Sequence, residues 1–120
     1  MNKRELVLQR KKVLKTFHVP GMPVYCKRKV NAVFISPSNS SEHEAMKTEV
    51  CRRLRALKCE FITEAIEKCS GLRRDIVCLD TGEIYEVECD PKRAARFKGD
   101  VVNVILVDRK SFDINMKVDL

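Results

Sequence analysis

The stretch from Asp75 to Cys89 constrains the fold more than any other part of the chain. Two short runs, Asp75-Ile-Val-Cys-Leu79 and Glu83-Ile-Tyr-Glu-Val-Glu-Cys89, flank Asp80-Thr81-Gly82. Turn residues between β-rich runs predict an antiparallel hairpin. A two-residue loop at Thr81-Gly82 pairs Asp80 with Glu83, Val77 with Glu86 and Asp75 with Glu88. Side chains of a strand alternate between faces, so Asp75, Glu86 and Glu88 are expected together on one face. Directly opposed Cβ atoms lie about 4.5–5.5 Å apart. Carboxylates at that spacing repel one another, and a hard divalent cation relieves the conflict by taking their oxygens as ligands. The same alternation also suits the wet face of a half-exposed hairpin, and a one-residue change in loop length separates Asp75 from Glu88.

Elements on either side follow from local signals. The segment from Glu5 to Lys15 reads as a short helix or an extended arm, and His18-Val-Pro-Gly-Met-Pro23 as a turn. Lys29 to Ile35 reads as a strand, closed by the Ser36-Pro-Ser-Asn-Ser-Ser41 loop. Ser41-Glu-His-Glu44 has the spelling of a capping box, predicting a helix over 42–57. On a helical wheel Met46, Val50, Leu54 and Leu57 form one stripe, with Glu42 and His43 at its N-terminal end and Glu44 opposite. Residues 59–66 read as a strand and 67–72 as a loop. Asp90-Pro91 opens a short helix that Gly99 stops. Residues 100–107 form an apolar run expected of a strand covered on both faces. Phe112, Ile114, Met116 and Val118 alternate as in an edge strand.

Length and composition bound the possibilities. At 120 residues the chain has room for one core. No run approaches the roughly 18 apolar residues that cross a bilayer, and the N-terminus lacks the apolar stretch of a secretory signal. The expectation is a cytoplasmic, reducing location with no membrane partner. Cys26, Cys51, Cys59, Cys69, Cys78 and Cys89 show no zinc-type C-x2-C or C-x4-C pair, so the thiols read as small hydrophobes. Of the net charge of +7, residues 1–29 hold nine basic groups and one acid. A basic arm (1–29) on a balanced domain (30–120) suits a phosphate backbone, although a solubility tail has the same composition.

The order helix, strand, Asp-bearing strand, Glu-x-acid strand, helix, strand over about residues 40–108 resembles the αβββαβ core of the restriction-endonuclease-like PD-(D/E)xK nuclease superfamily. That resemblance implies an α/β single domain, with a mixed sheet of four or more strands flanked by helices and an N-terminal basic arm or strand extension. It implies hydrolysis of DNA phosphodiester bonds with Mg²⁺ or Mn²⁺, with RNA as a further possible substrate. It also admits a homodimer, since nucleases of this type often cut two strands with two subunits. The metal ligands would be Glu42 (or Glu44, less well oriented), Asp75, Glu86 and Glu88. Glu88 stands where the family usually carries lysine, and Lys92 is the nearest replacement for that ammonium. The catalytic set is then Glu42, Asp75, Glu86, Glu88 and Lys92. Lys11, Lys12, Lys15, Arg73, Arg74, Lys92, Arg93 and Arg96 are the cations that would contact nucleic-acid phosphates. A non-catalytic nucleic-acid-binding protein of the same fold is the alternative. His43 reads as a ligand, a proton carrier or a locally bonded residue of the helix start.

Overall fold

The computed structural model describes residues 1–23 and 26–107; the edge strand expected around Phe112–Val118 lies outside them. The architecture is α/β, a five-stranded mixed sheet in the order β1-β2-β3-β4-β5 with helices packed against it. β1 (Phe17–His18), β2 (Phe61–Glu67), β3 (Arg73–Cys78) and β4 (Ile84–Glu88) pair antiparallel in succession, and β5 (Asn103–Leu106) runs parallel to β4. Among the described residues no helix is long and apolar enough to cross a membrane.

The basic segment is a helix, α1 (Lys3–Leu14), started by Asn2, whose side chain accepts from the Glu5 amide at 2.8 Å. It is docked on the body. Val13 is buried against the sheet. Arg10 grips Asp80 through Nε and Nη2 at 2.9 and 3.0 Å and reaches Glu60 at 3.2 Å. Lys29, counted with the arm's cations, is buried and donates to the Pro23 carbonyl at 3.1 Å, so it offers no charge to a partner.

The second helix, α2 (Ser41–Ala56), is capped by Ser40, one residue earlier than the capping-box spelling predicts: the His43 amide donates to Ser40 Oγ at 3.1 Å. Met46, Val50, Cys51 and Leu54 pack on Phe61, Ile76, Cys78, Tyr85 and Val87. The wheel is corrected at both ends. Leu57 is exposed, and Glu44, expected opposite the apolar stripe, is buried. Leu57 lies at the C-cap, past the end of the helix, and Glu44 is covered by a second layer over it. Residues 32–36, expected as part of a strand and the loop after it, form no ladder but run past β2 and α2 on side-chain bonds. Thr63 Oγ1 accepts from the Phe34 amide at 3.0 Å and donates to the Ala32 carbonyl at 2.9 Å. Lys47 Nζ donates to the Phe34 carbonyl at 2.8 Å.

The last described strand also differs from expectation. β5 is largely exposed, with Val104 and Leu106 facing solvent, because only β4 pairs with it among the described strands. The short helix opened by Asp90, α3 (Pro91–Ala94), forms as the Asp-Pro signal predicts, Asp90 accepting from the Lys92 amide at 2.9 Å.

Lys47 is a tightly constrained interior charge. It is fully buried, 2.8 Å from Glu44 and 2.9 Å from Glu64, and it joins α2, β2 and the 32–36 segment in one knot. Removing one member of such a group leaves its partners charged and unpaired in the interior. Lys47→Ala is expected to lower unfolding free energy by about 3–5 kcal/mol, read from urea unfolding curves.

Candidate active site

A distortion in the sheet sets up the site. Thr63 pairs with Ile76 and Ala65 with Arg74, while Glu64 and Asp75, the step between them, are not a ladder pair. Glu64 has φ of 52°, a left-handed backbone that a side chain of its size adopts only when its surroundings hold it there. Strand alternation is broken as a result: Ile62 and Ala65, three residues apart, both pack in the cluster with Val13 of α1. Thr63 and Glu64 turn instead to the 32–36 segment and to Lys47. Asp75 lies at the same step and reaches α2.

The hairpin register differs from the expectation by two residues. Ile76 pairs with Tyr85 and Val77 with Ile84, so the register continues to place Asp75 across from Glu86, not Glu88. The loop spans more than Thr81-Gly82: the Gly82 amide donates to Cys78 O at 2.8 Å and the Cys78 amide to Glu83 O at 2.9 Å. Asp80, expected to pair with Glu83, is held by Arg10 and accepts from the Glu60 amide at 2.8 Å. Gly82 takes φ of 78° to close this turn.

Asp75 accepts from the Val87 amide at 2.8 Å and lies 3.3 Å from His43 Nε2. His43 Nδ1 lies 3.0 Å from Glu44 Oε1. Burial works against a charged imidazole, but the hydrogen bonds and negative charges of Asp75 and Glu44 outweigh it and raise the His43 pKa. The shift is toward an imidazole that donates from both nitrogens, and in that form His43 clamps Asp75 on one side and Glu44 on the other. Desolvation opposes ionisation of Asp75, yet His43 and the Val87 amide lower its pKa.

Glu86 has the opposite balance. Burial first, then the charge of Asp75 and a hydrogen bond to it, push its carboxyl up to about 9. It carries the proton of a carboxylic acid–carboxylate pair with Asp75. Glu86 Oε1 is buried with no hydrogen-bond partner and stands 3.7 Å from Arg74 Nη1, too far for a hydrogen bond. Arg74 spends its charge on Glu67 and Asp100, both at 2.9 Å.

A cleft of about 600 Å³ opens beside this pair. His43, Asp75 and Glu88 line it together with Ser40, Arg93 and Arg96. Arg96 lies 3.8 Å from Glu88 and stacks on the Phe97 ring. The structure thus brings Asp75 and Glu86 together and sets Glu88, Arg93 and Arg96 at the cleft. It does not assemble all the predicted carboxylates into one cluster. Glu42 and Lys92 are outside the cleft lining, and no three of Glu42, Asp75, Glu86 and Glu88 bring ligand atoms within 4.8 Å of one another. Arg74, expected at a phosphate, is buried in ion pairs. Arg73 is exposed, 3.9 Å from Glu64, and Lys11, Lys12 and Lys15 are exposed on and just after α1. Sequence reasoning missed Lys47 entirely; its one signal was the Glu44-x-x-Lys47 spacing of a helical ion pair.

No protein-family model, curated protein or solved structure matches this chain.

The protonated Glu86 has a thermodynamic consequence. Its folded pKa lies above the unfolded value, so between about pH 4.5 and 9 the folded state holds a proton that the unfolded state has lost. Stability from this group falls as pH rises through that window. In metal-free buffer Glu86→Gln, which keeps the shape of the neutral acid, is expected to melt higher than the parent at pH 8.5. The gap should shrink toward pH 4.5. A difference of about 4 °C or more in thermal melts would match a change of roughly 1 kcal/mol in a domain of this size.

Proposed function

We propose that this protein is a metal-dependent nuclease that hydrolyses phosphodiester bonds in DNA. The observation that carries the reading is the buried Asp75–Glu86 carboxyl pair beside a cleft bearing Arg93 and Arg96. Two carboxyls so placed, Asp75 lining the cleft and Glu86 buried beside it, are a poor structural device, since one must keep a proton to relieve the repulsion. They are a suitable one for a hard cation, which takes oxygen ligands and replaces that proton.

The donor set fits Mg²⁺ or Mn²⁺. Glu86 Oε1 has an unused acceptor site and Asp75 lines the cleft; Glu88, two residues along β4, also lines it but does not stand within 4.8 Å of both, so one ion would have to draw it inward. Asp75, Glu86 and Glu88 are the residues that would hold the ion; Glu42 and Glu44 are set aside, the latter because His43, Asn39 and Lys47 engage it. Such an ion supplies an acidified water and polarises a phosphoryl oxygen. The chain's own groups do the remaining work. His43 fixes the orientation of Asp75. Glu88 either completes the ion's ligands or, left free at the cleft, accepts the attacking water's proton. Arg93 and Arg96 offer planar donors to phosphates flanking the scissile bond, and exposed cations of α1 add backbone contacts that carry no sequence preference.

The test is cleavage of duplex, single-stranded and junction DNA, with an RNA arm, in Mg²⁺ or Mn²⁺. Asp75→Asn is expected to lower the rate by about 10²-fold or more. His43→Gln, which removes the clamp and keeps the ligands, should weaken metal affinity or activity by about 10–100-fold. Cleavage that persists in Asp75→Asn refutes the reading.

Two observations favour the non-catalytic alternative: among the described residues no lysine lines the cleft, and Asp75 already has His43 and the Val87 amide as partners. Under that alternative DNA binds without being cut. Either way, replacing Lys11, Lys12 and Lys15 together by alanine should reduce the slope of log affinity against log salt by up to about 0.9 per lost phosphate contact on duplex DNA. An unchanged slope would mean that α1 does not touch the backbone.

A further inference from the structure

The opposite end of the central strands carries a second group of ligand-type side chains, with different chemistry. Cys59 follows the turn that ends α2, Cys78 is the last residue of β3, and Asp80 lies in the hairpin loop. Phe61 pairs with Cys78 and the Leu79 amide donates to Glu60 O at 2.8 Å, so the β2–β3 register sets Cys59 across from Asp80 and diagonal to Cys78. The two Sγ atoms and a carboxylate oxygen lie within 4.8 Å of one another. Among the described residues this is the one place where three such ligands converge. None of the three lines the cleft.

We propose that Cys59, Cys78 and Asp80 form a binding site for a thiophilic divalent cation, Zn²⁺ foremost. Two sulfurs and one oxygen suit zinc rather than magnesium, which prefers an all-oxygen shell. A tetrahedral ion with bonds of about 2.3 Å to sulfur needs its sulfurs roughly 3.8 Å apart, so the ligands must close by about an ångström or less. Cys78 is buried and Cys59 half-buried, so the ion would sit at the end of the β2–β3 pair, with its fourth position on the Cys59 side.

Asp80 has the capacity to join. A carboxylate offers about four lone-pair sites. Arg10 Nε and the Glu60 amide use two on Oδ1, and Arg10 Nη2 uses one on Oδ2, leaving one on Oδ2. The Arg10 charge is shared with Glu60, so a divalent ion enters a neighbourhood that is anionic once the thiols release their protons. Reactivity toward oxidants is the weaker use of these thiols. Burial, and after it the proximity of Cys78 and Asp80, pushes Cys59 up to about 11, so it is no reactive thiolate at neutral pH.

Cobalt(II) reports such a site directly. Titrated into the reduced, metal-free full chain, Co²⁺ should give a near-ultraviolet thiolate-to-metal charge-transfer band that saturates at one ion per chain and is bleached by Zn²⁺. Cys59→Ser and Cys78→Ser should each cut that band to half or less, while Cys26→Ser and Cys69→Ser leave it intact. Asp75→Asn, which strikes the carboxyl pair at the cleft, should also leave it intact. Because Cys78 is buried, Cys59→Ser carries the test if the other variant fails to fold. No band in the parent chain, or one that survives Cys59→Ser, overturns the site.

Discussion

The interior ammonium of Lys47 is the interaction on which the rest of the structure depends. A buried charge persists only where partners replace the water it has lost, and this one draws Glu44 from its own helix, Glu64 from β2 and the Phe34 carbonyl from the irregular segment. Each partner is displaced from where local rules would put it. Glu44 leaves the solvent, Glu64 takes a left-handed backbone, and residues 32–36 give up a ladder. The sheet distortion at Glu64 and Asp75 follows, and with it the reach of Asp75 to α2.

Around that knot the ionisable groups sort themselves by solvation. His43 is buried between two carboxylates, which raise its pKa; Glu86, buried beside one, has its carboxyl pushed up to about 9 and keeps its proton. The contrast has a simple source. His43 adds a positive charge where two negative ones already stand, whereas ionised Glu86 would add a second negative charge beside Asp75, with Arg74 too far away and too occupied to balance it. A cation is the one addition that would let both carboxyls ionise. That is the physical link between the geometry and the phosphodiester hydrolysis we propose.

Much of the fold was legible. Apolar runs broken by Ser-Gly and Asp-Thr-Gly predicted β2, β3 and β4, the serine-rich loop predicted the start of α2 to within a residue, and Asp90-Pro91 opened α3. Local signals suffice there because caps and turns are satisfied by residues a few positions away. Residues 29–35 misled for a related reason. Alternating apolar residues suit any strip packed against a core, and only the Thr63 hydroxyl, some thirty residues distant, shows that side-chain bonds do the work of a ladder. The two-residue shift in the hairpin goes with a longer loop, in which Asp80 is held by Arg10 of α1 rather than paired with Glu83.

By itself the sequence determined α2, β2, β3, β4 and α3 and their order, the α/β class, and the chemical types available, because periodicity, caps and turn residues act over a few neighbours. It singled out Asp75, Glu86 and Glu88 as acids of one hairpin. Only the tertiary structure decided that Glu86 rather than Glu88 stands across from Asp75, that Arg74 is buried in ion pairs, that Glu42 and Lys92 lie outside the cleft, and that Lys47 anchors the whole. Those outcomes depend on the solvation of charges by partners far away in the chain, and burial of that kind exists only once the elements have packed.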